Sequence, residues 1–172
     1  AQFPDALLYS TAYHNSMPEL ANRIAPLKLA AFIHAGYSAG PQDKYNTNGT
    51  HSAPKRLQNL VKLLHTRGAR GFLTYTEGVE SHLNMFLCAR LACNPDCDVT
   101  DEMTGYFRWY FGCDTTTAKK LSAICLAMET LDSSKAGEWL KKLNTLSGKC
   151  SMLKNHEYLM TQLVIKARLM AL

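Results

Sequence analysis

The stretch Gly71-Phe-Leu-Thr-Tyr-Thr-Glu-Gly78, continued by Ser81-His-Leu-Asn-Met-Phe-Leu-Cys-Ala-Arg-Leu-Ala-Cys-Asn-Pro-Asp96 and by Tyr106-Phe-Arg-Trp-Tyr-Phe-Gly112, decides how the rest of the chain is read. Its first segment is a short run of apolar and β-favouring residues ending in a carboxylate, the pattern of a buried strand over Phe72 to Glu77. The second has helical spacing and stops at Asn94-Pro95, because proline cannot continue a helix and biases the residue before it away from helical torsions. The third ends a further helix on an aromatic-glycine corner.

Upstream of this stretch the pattern is strand and loop. Ala6 to Tyr13 is a short apolar run broken by His14, Asn15 and Pro18, which predicts a buried strand with a loop at its C-terminal end. Leu27 to Ala35 is a second such run, opened by Pro26 and closed by Gly36. Gly40 to Ser52 is polar and turn-rich and predicts an exposed loop. Pro54 stands at a first helical position, and Leu57, Leu60, Val61 and Leu64 recur at three-four spacing, so an amphipathic helix ends near Gly68. The first 80 residues thus read β-loop-β-α-β, the alternation that builds parallel sheets.

Downstream, every strong signal is helical. Asp98 supplies an acidic start for a helix running to Gly112. Asp114 or Thr115 caps the next, with Ala118, Leu121, Ile124, Cys125 and Met128 on one face. Ser134 begins another through Trp139, Leu140 and Leu143, ended by Gly148. A last helix is expected from Ser151 to about Met170. The fold class is therefore α/β followed by all-α. Three parallel strands with one crossover helix cannot bury both faces of their own sheet. Either further strands lie on another segment or chain, or the helical half folds back over the sheet.

Composition narrows the classes of function. With 47% hydrophobic and 19% charged residues the chain is that of a folded globular protein. Its net charge of +5 would permit anionic partners, but Lys55, Arg56, Lys62, Arg67 and Arg70 fall on separate turns, so no nucleic-acid partner is expected. No apolar run approaches a membrane span, and the start Ala1-Gln-Phe-Pro-Asp5 has no signal-peptide pattern, as expected for a mature, processed or truncated chain. The sequon Asn48-Gly-Thr50 matters only in a eukaryotic secretory route. A Gly-rich phosphate loop is lacking, and no second Cys or Cys/His pair completes a metal set with Cys93 and Cys97, so neither cofactor nor metal is expected. The six cysteines leave two readings open: disulfides of an exported protein, with Cys93 joined to Cys97 or Cys113, or buried free thiols.

Ala89-Arg-Leu-Ala-Cys-Asn-Pro-Asp96 followed by Phe111-Gly112 resembles the end of the catalytic barrel in secreted glycosidases of the α-glucuronidase type, with Cys93 where that family usually has Trp. Phe3-Pro-Asp5 and Ala12-Tyr13 resemble an earlier strand of the same proteins. The resemblance implies a fold: the last strands of a TIM-type (β/α) barrel over residues 1–80, followed by a C-terminal helical bundle over 81–172. The remaining barrel half would lie on another segment or chain, or in a homo-oligomer. It also implies a carbohydrate substrate or ligand, glycoside hydrolase chemistry, and a secreted or periplasmic location. Where the family often carries a longer insert before its last helix, this chain has only the loop from Gly36 to Ser52.

In a barrel the chemistry belongs at the C-terminal strand ends. These carry Tyr13, His14 and Asn15, then His34 and Tyr37, then Tyr75, Glu77 and Glu80. Glycoside hydrolysis uses two carboxylates. Glu77 is the candidate catalytic residue, and Tyr13, His14, Asn15, Tyr37, Tyr75 and Glu80 are candidate substrate-binding residues. Each has a plainer alternative: Glu77 as a cap on the next helix, the histidines as satisfied loop or core groups, the tyrosines as core with a tethered hydroxyl. The Tyr106 to Phe111 aromatics wrap around their helix and read as packing, and Lys119-Lys120 and Lys141-Lys142 as solvated faces. The rival function is a non-catalytic helical interaction or carbohydrate-binding module.

Overall fold

The structure is a computed structural model. It describes residues 7–10, 28–34, 53–66, 69, 71–75, 82–130, 132–151, 159–161, 163–165 and 167–168. The elements are β1 (Leu7–Ser10), β2 (Lys28–His34), α1 (Pro54–Thr66), β3 (Gly71–Tyr75), α2 (His82–Cys93), α3 (Val99–Phe111), α4 (Thr115–Met128), a 3-10 turn (Ser133–Lys135) and α5 (Ala136–Ser147). The described residues at 159–161, 163–165 and 167–168 are helical as well.

The strands form a parallel sheet in the order β1-β2-β3. Leu7 pairs with Lys28 and Ser10 with Ala31; Ala30 pairs with Gly71 and His34 with Tyr75. Parallel neighbours require a crossover, and α1 supplies the one between β2 and β3. Along β3 the burial alternates, with Leu73 51% and Tyr75 47% exposed while Phe72 packs against the core. Thr74 donates to Met85 Sδ at 2.8 Å, which seats α2 on that face.

The expected architecture, barrel end-strands followed by a helical bundle, is corrected by this arrangement. Among the described residues the protein is mostly helical, with three short strands in an open sheet. A strand of a closed parallel barrel is covered on both faces and reads as continuously buried. β3 has one face open to solvent instead. The core is built by helices: one cluster runs from Ile33 through Leu57, Leu87, Phe107, Leu121 and Leu143 to Ala167.

Each helix end has an identifiable cause. Asp98 precedes α3 and its carboxylate accepts from the N–H groups of Thr100 at 2.7 Å and Asp101 at 3.4 Å. Gly112 ends α3 at φ 58° and ψ 32°, a left-handed conformation that costs glycine little and other residues more. Asp114 caps α4 through the Thr117 N–H at 2.8 Å. The helix expected from Ser134 begins as a 3-10 turn instead, capped by Asp132 through the Ser134 N–H at 3.2 Å, and becomes α-helical at Ala136.

The Asn94-Pro95-Asp96 corner between α2 and α3 is held from outside. Gln58 of α1 donates to the carbonyls of Pro95 at 3.3 Å and Cys97 at 2.7 Å, Asn94 Oδ1 accepts from the Asp96 N–H at 3.1 Å, and Lys62 pairs with Asp96 at 2.9 Å. Arg90 adds a forked pair to Glu102 across the corner, at 2.8 and 3.0 Å. The motif that carried the family resemblance thus does structural work here, locking α1, α2 and α3 together.

α3 and α4 cross at small polar residues. Thr104 and Ser122 meet at 3.2 Å inside the core, and each hydroxyl is also within reach of a carbonyl one turn earlier, of Thr100 at 2.8 Å and Ala118 at 3.0 Å. Phe107 and Phe111 stack beside them, centroids 5.6 Å apart and planes within 3°. Both are fully buried, and side chains of this size each contribute about 1.5–3 kcal/mol on leaving water.

Candidate functional site

The aromatic run on α3 separates by helical geometry into an inward and an outward set. Residues four apart share a face, whereas residues two apart lie about 200° apart around the axis. Phe107 and Phe111 point into the core, so Trp109 points away from it, and it is 73% exposed. Tyr106 and Tyr110 lie between, stacked at 5.1 Å with planes 13° apart. Tyr106 is buried and packs on Phe86 of α2 at 5.0 Å. Tyr110 is half-buried and reaches the exposed His82 ring at the start of α2, centroids 6.2 Å apart. Trp109 and Tyr110 have centroids 6.0 Å apart and planes inclined at 54°.

The result is an aromatic surface of Trp109, Tyr110 and His82 on two helices that are packed into the core through their other faces. Burial raises the ionisation of both tyrosines above the ordinary phenol range, most for Tyr106. Their rings therefore stay neutral at physiological pH. Among the described residues the Tyr106 hydroxyl is buried without a hydrogen-bond partner.

Of the residues singled out in the sequence, Tyr75 ends β3 and is 47% exposed. Its backbone lies beside that of His34, since the two are partners in the parallel register. Glu77, Glu80, Tyr13, His14, Asn15 and Tyr37 lie outside the described residues. Sequence reasoning passed over Trp109 as packing. The available signal was its two-residue offset from Phe107 and Phe111.

A second concave surface lies between α4 and α5. It encloses about 640 Å³ over an apolar floor that includes Ile124, Trp139 and Leu146. Lys120, Lys141, Lys142 and Lys149 line it. Lys142 is paired with Glu138 one turn earlier. Lys119, Lys120, Lys141 and Lys142 are exposed, as expected of solvated groups, and all but Lys119 also rim this groove.

The cysteines are not joined by disulfides in this structure. Cys88, Cys113, Cys125 and Cys150 are buried, Cys97 is half-buried and Cys93 is exposed. Burial pushes the Cys88 thiol up to about 11, opposed by a hydrogen bond with Thr74. No group of His, Cys, Asp or Glu among the described residues is placed to hold a metal ion, and no helix among them is long and apolar enough to cross a membrane. Comparison with known proteins finds no matching family model, no matching curated protein and no matching solved structure.

Proposed function

We propose that this protein is a non-catalytic carbohydrate-binding module, and that Trp109, Tyr110 and His82 form its sugar-facing surface. The observation that carries the reading is the 73% exposure of Trp109 on a helix whose opposite face is fully buried. An exposed indole on a rigid support is an aromatic face available for stacking, and little side-chain freedom is lost when a ligand covers it. The inclined rings of Trp109 and Tyr110 suit successive residues of a chain that turns along its length. Polar hydroxyls around an apolar sugar face match a surface that combines ring faces with the His82 nitrogens.

The test is thermal protection by a panel of neutral and uronic-acid oligosaccharides, run beside an assay for released reducing sugar. Binding at a hundredfold excess over Kd stabilises by about 2.7 kcal/mol, which raises the melting temperature of a chain this size by roughly 5–10 °C. Trp109→Ala should abolish that shift while moving the unliganded melting temperature little, because the side chain is mostly exposed. Absence of protection by every member of the panel refutes the proposal, and release of reducing sugar refutes its non-catalytic part.

The basic groove between α4 and α5 favours a second reading, an interaction module for an acidic helical partner. Such binding would weaken steeply with added salt, whereas stacking on Trp109 would not.

A further inference from the structure

We propose that Cys113 and Cys150 are a disulfide-forming pair, a modification site that ties the end of α3 to the end of α5. Cys113 directly follows the Gly112 corner, and Cys150 follows α5. The two side chains are close enough for each to perturb the ionisation of the other. Each also donates to a carbonyl of its own helix end, Cys113 to Phe107 and Cys150 to Leu146, both at 3.4 Å. The neighbouring residues are joined as well, since Ser151 Oγ donates to the Gly112 carbonyl at 2.8 Å. The juxtaposition is therefore one of two backbone corners and not of two mobile side chains. Both cysteines are buried, with exposures of 7% and 8%.

The chemistry is exchange with a low-molecular-weight disulfide. One cysteine thiolate attacks a sulfur of that disulfide and expels one small thiolate, leaving a mixed disulfide. The second cysteine thiolate then attacks the protein sulfur of the mixed disulfide and expels the other. The protein pair is oxidised, the small disulfide is reduced to two thiols, and the two cysteine protons end on them.

Burial raises both thiols above the ordinary range, and for Cys150 burial together with the adjacent Cys113 sulfur pushes it up to about 11. Few thiolates are present at neutral pH, so exchange in the folded protein is slow and proceeds through local opening or during folding. A bridge formed this way is structural. It closes the segment holding α4, the 3-10 turn and α5 into a loop, which restricts the unfolded chain.

The experiment is to unfold and refold the full chain with oxidised glutathione, then map peptides without reduction. The expected result is a peptide linking Cys113 to Cys150, with the loss of two hydrogens. Relative to the reduced chain, the melting temperature should rise by roughly 5–15 °C. Cys113→Ser and Cys150→Ser should each remove the link and the rise, whereas Cys88→Ser should keep both. Recovery of both thiols as alkylatable after refolding overturns the proposal. A bridge between Cys93 and Cys97 in place of this pair also overturns it. The wild-type peptide map decides the matter even where a serine variant does not fold.

Discussion

Removing the Glu129 carboxylate should loosen the start of α1, although the two are 74 residues apart in sequence. The first turn of a helix has amides without intrahelical partners, which a local Ser, Thr, Asp or Asn usually satisfies. Here Ala53 occupies the position before Pro54 and has no side-chain acceptor. Pro54 has no N–H. The Lys55 N–H donates to Glu129 Oε2 at 3.0 Å and the Arg56 N–H to Oε1 at 2.8 Å. The Leu57 N–H donates to the Ala53 carbonyl at 3.0 Å, and the Ala53 N–H donates to Asn84 Oδ1 at 3.1 Å. The end of α4 thus does the work of a local cap and adds a negative charge at the positive end of the α1 dipole.

Loss of a cap costs about 0.5–2 kcal/mol and loss of the charge–dipole term about 0.3–1 kcal/mol. Because Glu129 is half-buried, Glu129→Ala should cost about 2 kcal/mol, or roughly 4–8 °C in melting temperature for a chain of this length. Glu129→Gln keeps one acceptor oxygen and should lose about half as much. Urea unfolding followed by helical circular dichroism measures both. A loss below about 0.5 kcal/mol for Glu129→Ala, with an unchanged slope, would refute the capping argument.

Three further outcomes follow from the same structure. Tyr106→Phe removes a buried hydroxyl that has no partner among the described residues, and should be neutral or stabilising by up to about 1 kcal/mol in urea unfolding, because the hydroxyl's desolvation is uncompensated. Gln58→Ala strands the carbonyls of Pro95 and Cys97 and should cost about 1–3 kcal/mol, with amide exchange quickening first at residues 94–98. Asp98 and Asp114 are held below the ordinary carboxylate value of 3.8, chiefly by backbone N–H groups. Their contribution is therefore present above pH 4 and lost as pH falls through their lower folded-state values. Asp98→Asn with Asp114→Asn should flatten the decline of the urea midpoint between about pH 4 and pH 2, and an unaltered decline would show that other groups cause it.

Much of the local structure was legible before the fold. Strand positions at 7–10, 28–34 and 71–75, the Pro54 start, the Asn94-Pro95 stop and the Asp98 and Asp114 caps all depend on neighbours within a few residues. The outward position of Trp109 is legible in the same way, from its spacing to Phe107 and Phe111, although the run as a whole reads as packing. That the sheet is open and not part of a barrel was not legible, because closure depends on which strands neighbour the sheet edges and on what covers the far face of β3. The exposed Leu73 and Tyr75 answer that question only in three dimensions.

By itself, the sequence determined where the chain turns helical, where each helix stops and which face of it is apolar, since those choices are made by backbone torsion and periodicity over one or two turns. Tertiary structure alone decided that Glu129 and Asn84 cap α1, that Gln58 and Lys62 clamp the Asn94–Asp96 corner, and that Cys113 meets Cys150. Each of these joins groups tens of residues apart. Their meeting is set by how buried helix faces pack, and short-range spacing carries no record of it.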